Sequence, residues 1–232
     1  MTEVLSAEHF IARMREEGGS RYHDAHPFHL RMHDGALSRA ELQAWVRNRY
    51  YYQTRVPIKD ALILAKSDDP AFRRLWIHRI HDHDGEREGE GGLAQWLRLA
   101  EAVGLDAGEV ASCRSVLPGV RFACDGYVQL VRESVLVVAV ASSLTEFFAP
   151  DLMARRIAAW EKHYPWIAAS GLEYFKGRVT FARRDSQEAV AFVTTHATTP
   201  ELQTACIAAL VRKTEVLWHL LDCVAAAAVA PR

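Results

Sequence analysis

The chain has 232 residues, of which 50% are hydrophobic and 25% are charged, and its formal net charge is −1. This is the composition of a globular protein with a sizeable buried core. A net charge so close to zero excludes a chain-wide positive field for nucleic acid or an anionic membrane, so any basic function must rest on a local cluster. We expect neither a nucleic-acid partner nor a membrane.

The cysteines and the apolar segments indicate where the protein works. The four cysteines form no C-x-x-C pair, which is typical of free thiols in a reducing compartment. The N-terminal segment has an acid near its start and no apolar stretch of the secretory kind. The longest apolar runs, 135–141 and 223–231, are shorter than the ~20 residues that cross a bilayer. We therefore expect a cytoplasmic protein.

Helix-start signals are frequent in the first half of the chain. Ser38 and Glu41 match a capping box, in which each side chain binds the other residue's backbone N–H. The pair Asp69-Pro70 predicts a helix that extends to about His83. The segment 84–92 has four glycines in nine residues, which predicts a mobile loop able to cover a site.

The second half is predicted to contain longer helices. Residues 118–149 have the pattern of one long helix with a buried apolar centre. Two helices are predicted at 172–183 and 186–196, the second starting from a capping box at Asp185. The last helix is predicted to begin at Pro200 and to run into the alanine-rich end.

Taken together, these patterns predict an all-α fold, a compact bundle of seven to eight helices. No segment alternates apolar and polar residues as a half-buried strand does. No internal linker or repeat divides the chain, so 1–232 is predicted to be a single domain. Residues 225–232 resemble the start of a linker.

One stretch is both too polar for an ordinary core and too aromatic for an ordinary surface: W-V-R-N-R-Y-Y-Y-Q-T-R-V-P-I-K-D. As a helix, it places Arg49, Tyr52 and Gln53 on one face. We expect Pro57 to interrupt the helix and to turn Lys59 toward the same region. Guanidinium groups bind carboxylates bidentately and tyrosines pack on rings, so this face suits a planar anionic ligand. The alternative is a helix whose polar tips reach water.

Other polar side chains have a similar character: most lie at helical spacing from a second polar residue or on an apolar face, and Tyr22 and His23 lie in a histidine-rich segment. They are Tyr22, His23, Arg79, His83, Thr145, Glu146, Tyr174, Arg178 and Lys213. A carboxylate such as Glu146 on an apolar helix needs a partner or a purpose. One alternative is that Glu146 is only the buried partner of an arginine.

Eleven histidines raise the question of a metal site. Two groups of them are closely spaced: His26, His29 and His33, and His78, His81 and His83. The zinc motif H-E-x-x-H and the paired Glu-x-x-His motifs of di-iron bundles are both absent. We expect no metal, and retain an iron-dependent oxygenase of the same fold as an alternative.

Several longer motifs resemble those of the pyrroloquinoline-quinone (PQQ) synthase family of PqqC type. They are R-Y-H-D-A-H-P-F-H, W-V-R-N-R-Y-Y-Y-Q-T-R-V-P-I-K-D, H-D-H-D-G, L-P-G-V-R-F-A, S-S-L-T-E-F-F-A-P and H-Y-P-W-I, in an order that covers the chain from about Ser6 to Asp222. The resemblance implies a heme-oxygenase-like helical bundle, usually a homodimer. It also implies an oxidase without cofactor, metal or flavin. Such an enzyme closes and oxidises a reduced, multiply carboxylated bicyclic precursor to PQQ, with O2 as co-substrate and H2O2 as product.

The resemblance implies roles for the catalytic residues. His83 is the first choice as general base and His23 as a second acid or base, since imidazole titrates near working pH. Tyr127, Thr145 and Glu146 would bind the quinoid oxygens and the amine. The remaining catalytic pair, at the oxygen pocket, is Tyr174 and Arg178, whose cation would stabilise developing superoxide or peroxide charge.

The substrate-binding residues form a second set, in which cations bind the precursor's carboxylates. The set consists of Tyr22, Arg49, Tyr52, Gln53, Lys59, Arg79, Thr145, Arg156 and Lys213. The sequence departs from the family at Met153, where a histidine of the oxygen pocket is usual. A methionine cannot donate a hydrogen bond or a proton to peroxide. Either Tyr174 and Arg178 suffice, or turnover slows or stops early, or the protein binds PQQ without catalysis.

Overall fold

A computed structural model describes residues 3–229, and every regular element in that range is a helix. In chain order these are α1 (Ala7–Gly19), α2 (Pro27–His33), α3 (Arg39–Leu64), α4 (Pro70–Trp76), α5 (His78–Asp84), α6 (Gly91–Ala102), α7 (Ala107–Ala111), α8 (Pro118–Glu133), α9 (Leu136–Ala141), α10 (Ala149–His163), α11 (Glu173–His196) and α12 (Pro200–Val229). Short 3₁₀ segments lie at His23–Ala25, Ser142–Phe147 and Ala169–Leu172. Seven of the described helices have twelve residues or more. The all-α bundle is confirmed.

Two apolar clusters form the core. The first is built around stacked tryptophans: the ring of Trp45 lies 5.4 Å from that of Trp96 and 5.9 Å from that of Trp160. The second joins residues of α3, α4, α9 and α12, among them Trp76 and Leu210. Buried aromatic side chains remove large apolar areas from water and pack in fixed edge-to-face geometries. The polar cavity described below borders both clusters.

The predicted start of α3 is confirmed in detail. Ser38 Oγ accepts a hydrogen bond from the backbone N–H of Glu41, and Glu41 Oε2 accepts one from the backbone N–H of Ser38 at 2.8 Å. Two of the orphan N–H groups of the first turn are therefore satisfied by side chains. The helix then continues through Pro57 to Leu64, and the kink expected at Pro57 stays a prediction. Proline removes one donor from the ladder, and packing on both sides holds the rest of the helix in place.

The helix predicted from Pro70 to about His83 is divided into α4 and α5. Asp69 caps α4 as expected, accepting from the N–H of Ala71 at 2.8 Å. At Ile77 the ladder tightens, because its carbonyl accepts from the N–H of Ile80, a 3₁₀-type bond. Spacing alone did not indicate this break. Helix α5 is therefore a separate element, which follows α4 after the single residue Ile77.

The prediction of one helix over 118–149 was wrong. Helix α8 ends at Glu133, and Ser134 and Val135 are extended. The hydroxyl of Ser134 donates to the carbonyl of Leu130 at 2.6 Å, which satisfies the last turn of α8. The apolar pattern continues through the break because α9 and the 3₁₀ segment that follows are buried as well. Burial without periodicity cannot distinguish one helix from three short elements.

The prediction of two helices over 172–196 was also wrong, because α11 is continuous. Asp185 matches the local pattern of a capping residue, but it lies inside the helix and is buried. Its carboxylate accepts hydrogen bonds from Arg178 and Arg184 in place of the backbone N–H groups that a capping residue binds, and Arg79 donates to its backbone carbonyl. Residues 225–229, predicted as the start of a linker, continue α12, since alanine is the best helix former. Residues 230–232 lie outside the described range.

The glycine-rich segment forms a tight connection between α5 and α6. Gly85, Gly89 and Gly91 have positive φ angles, which side chains rarely adopt. A Cβ on Gly85 would also lie 2.7 Å from the backbone carbon of Glu90, so the two ends of the loop are packed against each other. The mobility of the segment stays a prediction.

The stretch Leu136–His163 has the length and the mean hydropathy, 1.4, of a membrane span. Its most apolar window is 72% buried inside the fold. In this structure the stretch comprises α9, a 3₁₀ segment and α10, so it contributes to the core.

Two serine-to-alanine substitutions test the helix boundaries. Ser38→Ala is expected to lower the free energy of unfolding by about 1 kcal/mol, because it removes an N-cap. Ser186→Ala, inside α11, is expected to be neutral or stabilising by a few tenths of a kcal/mol, because alanine is the better helix former. Urea unfolding followed by circular dichroism measures both. A Ser38→Ala protein as stable as wild type would contradict the capping role of Ser38.

Candidate active site

A polar cavity with about 640 Å³ of empty space lies between α3, α5, α8, α10, α11, α12 and the 3₁₀ segment 142–147. Its lining residues are Tyr22, Arg49, Tyr52, Gln53, Val56, Lys59, Asp60, Arg79, His83, Tyr127, Ser143, Thr145, Glu146, Ala149, Met153, Tyr174, Arg178, Asp185, Lys213 and Leu217. Polar side chains from several helices converge on it, as they do in small-molecule sites.

The structure brings nearly all of the predicted site residues to this cavity. The exceptions are His23 and Arg156, which are buried but do not line it. The lining residues outside the predicted set are Val56, Asp60, Ser143, Ala149, Asp185 and Leu217. Asp60 follows Lys59 directly, so the pairing of a buried cation with a carboxylate was the signal that could have identified it.

Lys59 is held at one side of the cavity by three neighbours. Its Nζ lies 2.7 Å from Asp60 Oδ1 and donates to Ser143 Oγ at 2.7 Å. The indole N–H of Trp76 donates to the same Asp60 oxygen at 2.9 Å. Burial lowers the pKa of Lys59, but Asp60, Tyr127 and Glu146 together outweigh it, and the pKa lies above its ordinary value. Lys59 is therefore a fixed positive charge.

A second network joins two arginines to two carboxylates. Arg79 Nη1 donates to both oxygens of Glu146, at 3.0 and 2.9 Å, and Arg79 Nη2 donates to the backbone carbonyl of Asp185. Arg178 lies 3.7 Å from Glu146 and 3.5 Å from the Asp185 carboxylate. Glu146 is thus the partner of two arginines, as the alternative interpretation expected, while its catalytic role stays a prediction. The pairs position both guanidinium groups at the cavity wall.

Two further cations face the cavity with no carboxylate within 4.0 Å in residues 3–229. They lie on aromatic rings instead: Arg49 Cζ is 4.0 Å from the centroid of Tyr52, and Lys213 Nζ is 4.0 Å from the same centroid. Cation–π contacts offset part of the cost of burial but bring no negative charge. The cavity therefore has five basic side chains against three carboxylates, an arrangement that favours a polyanion.

Arg156 and His23 lie behind the cavity wall. Arg156 Nη2 lies 3.2 Å from His29 Nε2, and its guanidinium is over the ring of Trp45. Because arginine can only donate, His29 Nε2 accepts, and His29 Nδ1–H donates to the carbonyl of His23 at 2.9 Å. Burial and the nearby Arg49 lower the pKa of Arg156 to about 9. This guanidinium adds positive potential from outside the lining.

His83 has the geometry of a neutral base. Its Nδ1 lies 3.1 Å from the carbonyl of Arg79, which can only accept, so Nδ1 carries the proton and Nε2 has a free lone pair. Burial, followed by the charge of Arg178, lowers the pKa of His83 to about 4. The imidazole is therefore uncharged at neutral pH. His23 has a lowered pKa as well, caused first by burial and then by Arg49.

The predicted oxygen pocket combines a phenol, an amide and a thioether. Tyr174 OH donates to Gln53 Oε1 at 2.8 Å, and its ring packs edge-to-face on Trp96. Burial raises the pKa of Tyr174, so the phenol stays protonated. Met153 lines the same cavity, with its sulfur 4.0 Å from Arg156 Nη1. The roles assigned to these residues stay predictions.

Comparisons with known proteins identify the family of this chain. The chain matches the model of the TENA/THI-4/PQQC family over residues 11–223. A pyrroloquinoline-quinone synthase of Rhizobium meliloti (strain 1021) is 50% identical over 231 residues, covering 100% of this chain and 90% of that protein. One of Rhizobium rhizogenes is 49% identical over 231 residues, covering 100% and 94%. This chain belongs to the TENA/THI-4/PQQC family.

A solved structure confirms the predicted fold class. A domain of unknown function with a heme oxygenase-like fold from Shewanella denitrificans has a TM-score of 0.79 at 15% identity. The match covers 97% of this chain and 94% of that one. This TENA/THI-4/PQQC family member therefore has the heme-oxygenase-like bundle, and the likeness carries no statement about activity.

The histidine clusters do not converge as ligand sets in this family member. Within residues 3–229, His83 is the one histidine that lines the cavity. The carboxylates that line the cavity are bound to Lys59 or to arginines. In the described part of the chain, one group has ligand-like spacing: His78, Asp185 and Glu188. Arg184 Nη2 donates to Asp185 Oδ1 at 2.8 Å, so a cation already occupies that carboxylate. The expectation of no metal stays a prediction.

The lowered pKa of His83 predicts an acid-sensitive fold. An unfolded histidine binds a proton below about pH 6.5, whereas folded His83 resists it down to about pH 4. The free energy of unfolding is therefore not reduced by His83 above about pH 6.5, and it falls as the pH drops toward about 4. His83→Gln should remove about 2 to 3 kcal/mol of that loss by about pH 4.5. Urea unfolding at neutral and acid pH measures it, with the exposed His81→Gln as control. Equal acid sensitivity of His83→Gln and wild type would contradict this.

Proposed function

We propose that this protein is a pyrroloquinoline-quinone synthase that completes PQQ by closing a third ring and oxidising the reduced bicyclic precursor with O2. The carrying observation is the excess of basic over acidic groups in the cavity, with five basic side chains against three carboxylates in its lining. A precursor with three or four carboxylates supplies the negative charge that the wall lacks. The 50% identity of the whole chain to enzymes of that name supports the same role in PQQ biosynthesis.

Binding follows from where the cations lie. Arg49 and Lys213 have no protein carboxylate within 4.0 Å among the described residues, so they are available to ligand carboxylates. Arg79 and Arg178 are already oriented by Glu146 and can share a ligand anion in the same fork geometry. A planar bicyclic ring would lie against the phenols of the wall.

Proton removal is assigned to His83. Its Nε2 lone pair is free because Nδ1–H is held by the carbonyl of Arg79. Ring closure and oxidation release protons from carbon and nitrogen, and a base within the cavity accepts them. Tyr174, protonated and fixed by Gln53, donates a hydrogen bond, and the cation of Arg178 stabilises reduced oxygen as it acquires charge.

Two electrons pass from the reduced precursor to each O2 molecule that is reduced to H2O2. Two of the released protons are incorporated into that H2O2. No metal, flavin or other cofactor is included in the proposal. An iron-dependent oxygenase, the alternative from the histidine count, would need several protein ligands, and the described lining offers His83 with carboxylates bound to cations. We further propose that the protein acts as a cytoplasmic homodimer, as the family resemblance implies.

The decisive experiment is to mix the metal-stripped protein anaerobically with the reduced precursor and then to add O2. Growth of the quinone spectrum with H2O2 formation supports the proposal. Loss of activity on stripping, restored by iron, would favour the oxygenase. A stalled, partly oxidised spectrum would implicate the thioether of Met153, and Met153→His is then expected to restore turnover. Tight PQQ binding with no O2 uptake would favour a non-catalytic PQQ-binding protein.

Substituting the base separates binding from chemistry. His83→Gln is expected to lower the rate of oxidation by about 10²-fold or more, because a positioned general base is worth that much. The affinity for PQQ should change only a few-fold, since the carboxylate-binding cations are untouched. An oxygen electrode measures the rate and calorimetry the affinity.

The exposed His81→Gln is the matched control, because it removes a nearby histidine of the same helix and should leave both quantities unchanged. Oxygen consumption of His83→Gln at the wild-type rate would rule His83 out as the base.

A further inference from the structure

The amine of Lys213 is buried at the cavity wall without a partner. The side chain is 1% exposed, and Nζ has no hydrogen-bond partner within residues 3–229. It lies 3.4 Å from the centroid of the Tyr127 ring and 4.0 Å from that of Tyr52. An ammonium group has three N–H donors, and leaving all of them without acceptors in a buried site is costly.

The charged and titratable groups that face Lys213 come from three elements packed around it. They are Arg49, Tyr52 and Lys59 on α3, Cys124 and Tyr127 on α8, and Glu146 on the 3₁₀ segment. The one carboxylate among them, Glu146, is already bound by Arg79. Helix α9, which also packs against α12, has no titratable residue. The field at the amine is therefore positive.

Both burial and this field disfavour the ammonium form. They lower the pKa of Lys213 well below its ordinary value, burial being the larger cause and Arg49 the next. The ring contacts with Tyr52 and Tyr127 work in the opposite direction, but they supply neither an acceptor nor a negative charge. His23, behind the wall, is also neutral and gives no compensation.

We infer that Lys213 is a proton acceptor of the cavity: it is a free amine while the cavity is empty and takes up one proton as a polycarboxylate enters. This inference deepens the proposed function and rests on it, because the ligand must be a polycarboxylate. Ligand carboxylates offset the charge of Arg49 and give the ammonium the acceptors it lacks. For the finished quinone the proton comes from solvent, and during turnover the same amine can accept one released by ring closure.

The pH window follows from the neighbouring groups. Ordinary lysine titrates near pH 10.4, so a Lys213 ammonium paired with ligand carboxylates is charged at about pH 8. His83, with a pKa of about 4 in the empty cavity, stays neutral at that pH unless binding shifts it by several units. Arg156, with a pKa of about 9, is already mostly charged. Proton uptake near pH 8 therefore reports chiefly on Lys213.

Calorimetric titration with PQQ at about pH 8, in buffers of different ionisation enthalpy, measures the number of protons taken up. We expect Lys213→Arg to take up about one proton fewer than wild type, because a guanidinium is charged in both states. Lys176→Arg is the matched control, since Lys176 is exposed and pairs with Glu173, and it should keep the wild-type number. Thermal unfolding of each variant verifies that it folds.

The charge of Lys213 in the empty protein is a second, ligand-independent readout. In protein labelled with ¹³C at lysine, the Lys213 signal is the one missing from Lys213→Arg, and its shift at about pH 8 should be that of a free amine. An ammonium shift persisting to about pH 10 would overturn the inference even if no ligand bound. Equal proton uptake by Lys213→Arg and wild type would overturn it while leaving the proposed function intact. Failure of wild type to bind PQQ, with a free-amine shift, would instead count against the function.

Discussion

Positive charge buried in excess of negative charge is the constraint on which this structure depends. A buried ion without a partner costs several kcal/mol, so each cation of the cavity needs its own solution. Lys59, Arg79 and Arg178 take the three carboxylates of the wall. Arg49 rests on an aromatic ring, which is a weaker compensation, and Lys213 avoids the cost as a free amine. The unliganded cavity is thus stable only because the rest of the fold holds these groups in place.

The helical bundle provides that restraint by taking the cations from different helices. Arg49 and Lys59 come from α3, Arg79 from α5 and Arg178 from α11, so their mutual repulsion acts between separate helices. Two apolar clusters, one built on stacked tryptophans, oppose it. A 3₁₀ segment adds a further device, because residues three apart eclipse in that geometry. It places Ser143 and Glu146 on one side, toward the cavity.

Helical spacing was sufficient to predict the parts of the site that depend on one helix. Tyr174 and Arg178 are four residues apart and both face the cavity, because α11 is regular there. Lys213 was indicated by its place on an apolar helix face, and the motif resemblance gave expected roles to residues on the other helices. Neither helical spacing nor the motif resemblance could show which charged residues meet in the folded chain. Asp185 has the local pattern of a capping residue, yet arginines from α5 and α11 hold it inside a helix. Likewise, spacing could not show that Arg156 lies behind the wall, where its partner is His29.

The same charge imbalance links occupancy to base strength. In the empty cavity His83 is a weak base, since burial and the charge of Arg178 hold its pKa near 4. A ligand carboxylate bound to Arg178 would remove part of that repulsion and make the imidazole a stronger base, while burial, the larger cause, keeps its pKa well below about 8. Burial of the imidazole in the bundle keeps it from being protonated by solvent before the ligand arrives. The excess of cations would then serve two purposes, since it attracts a polyanion and delays the base until that polyanion is bound.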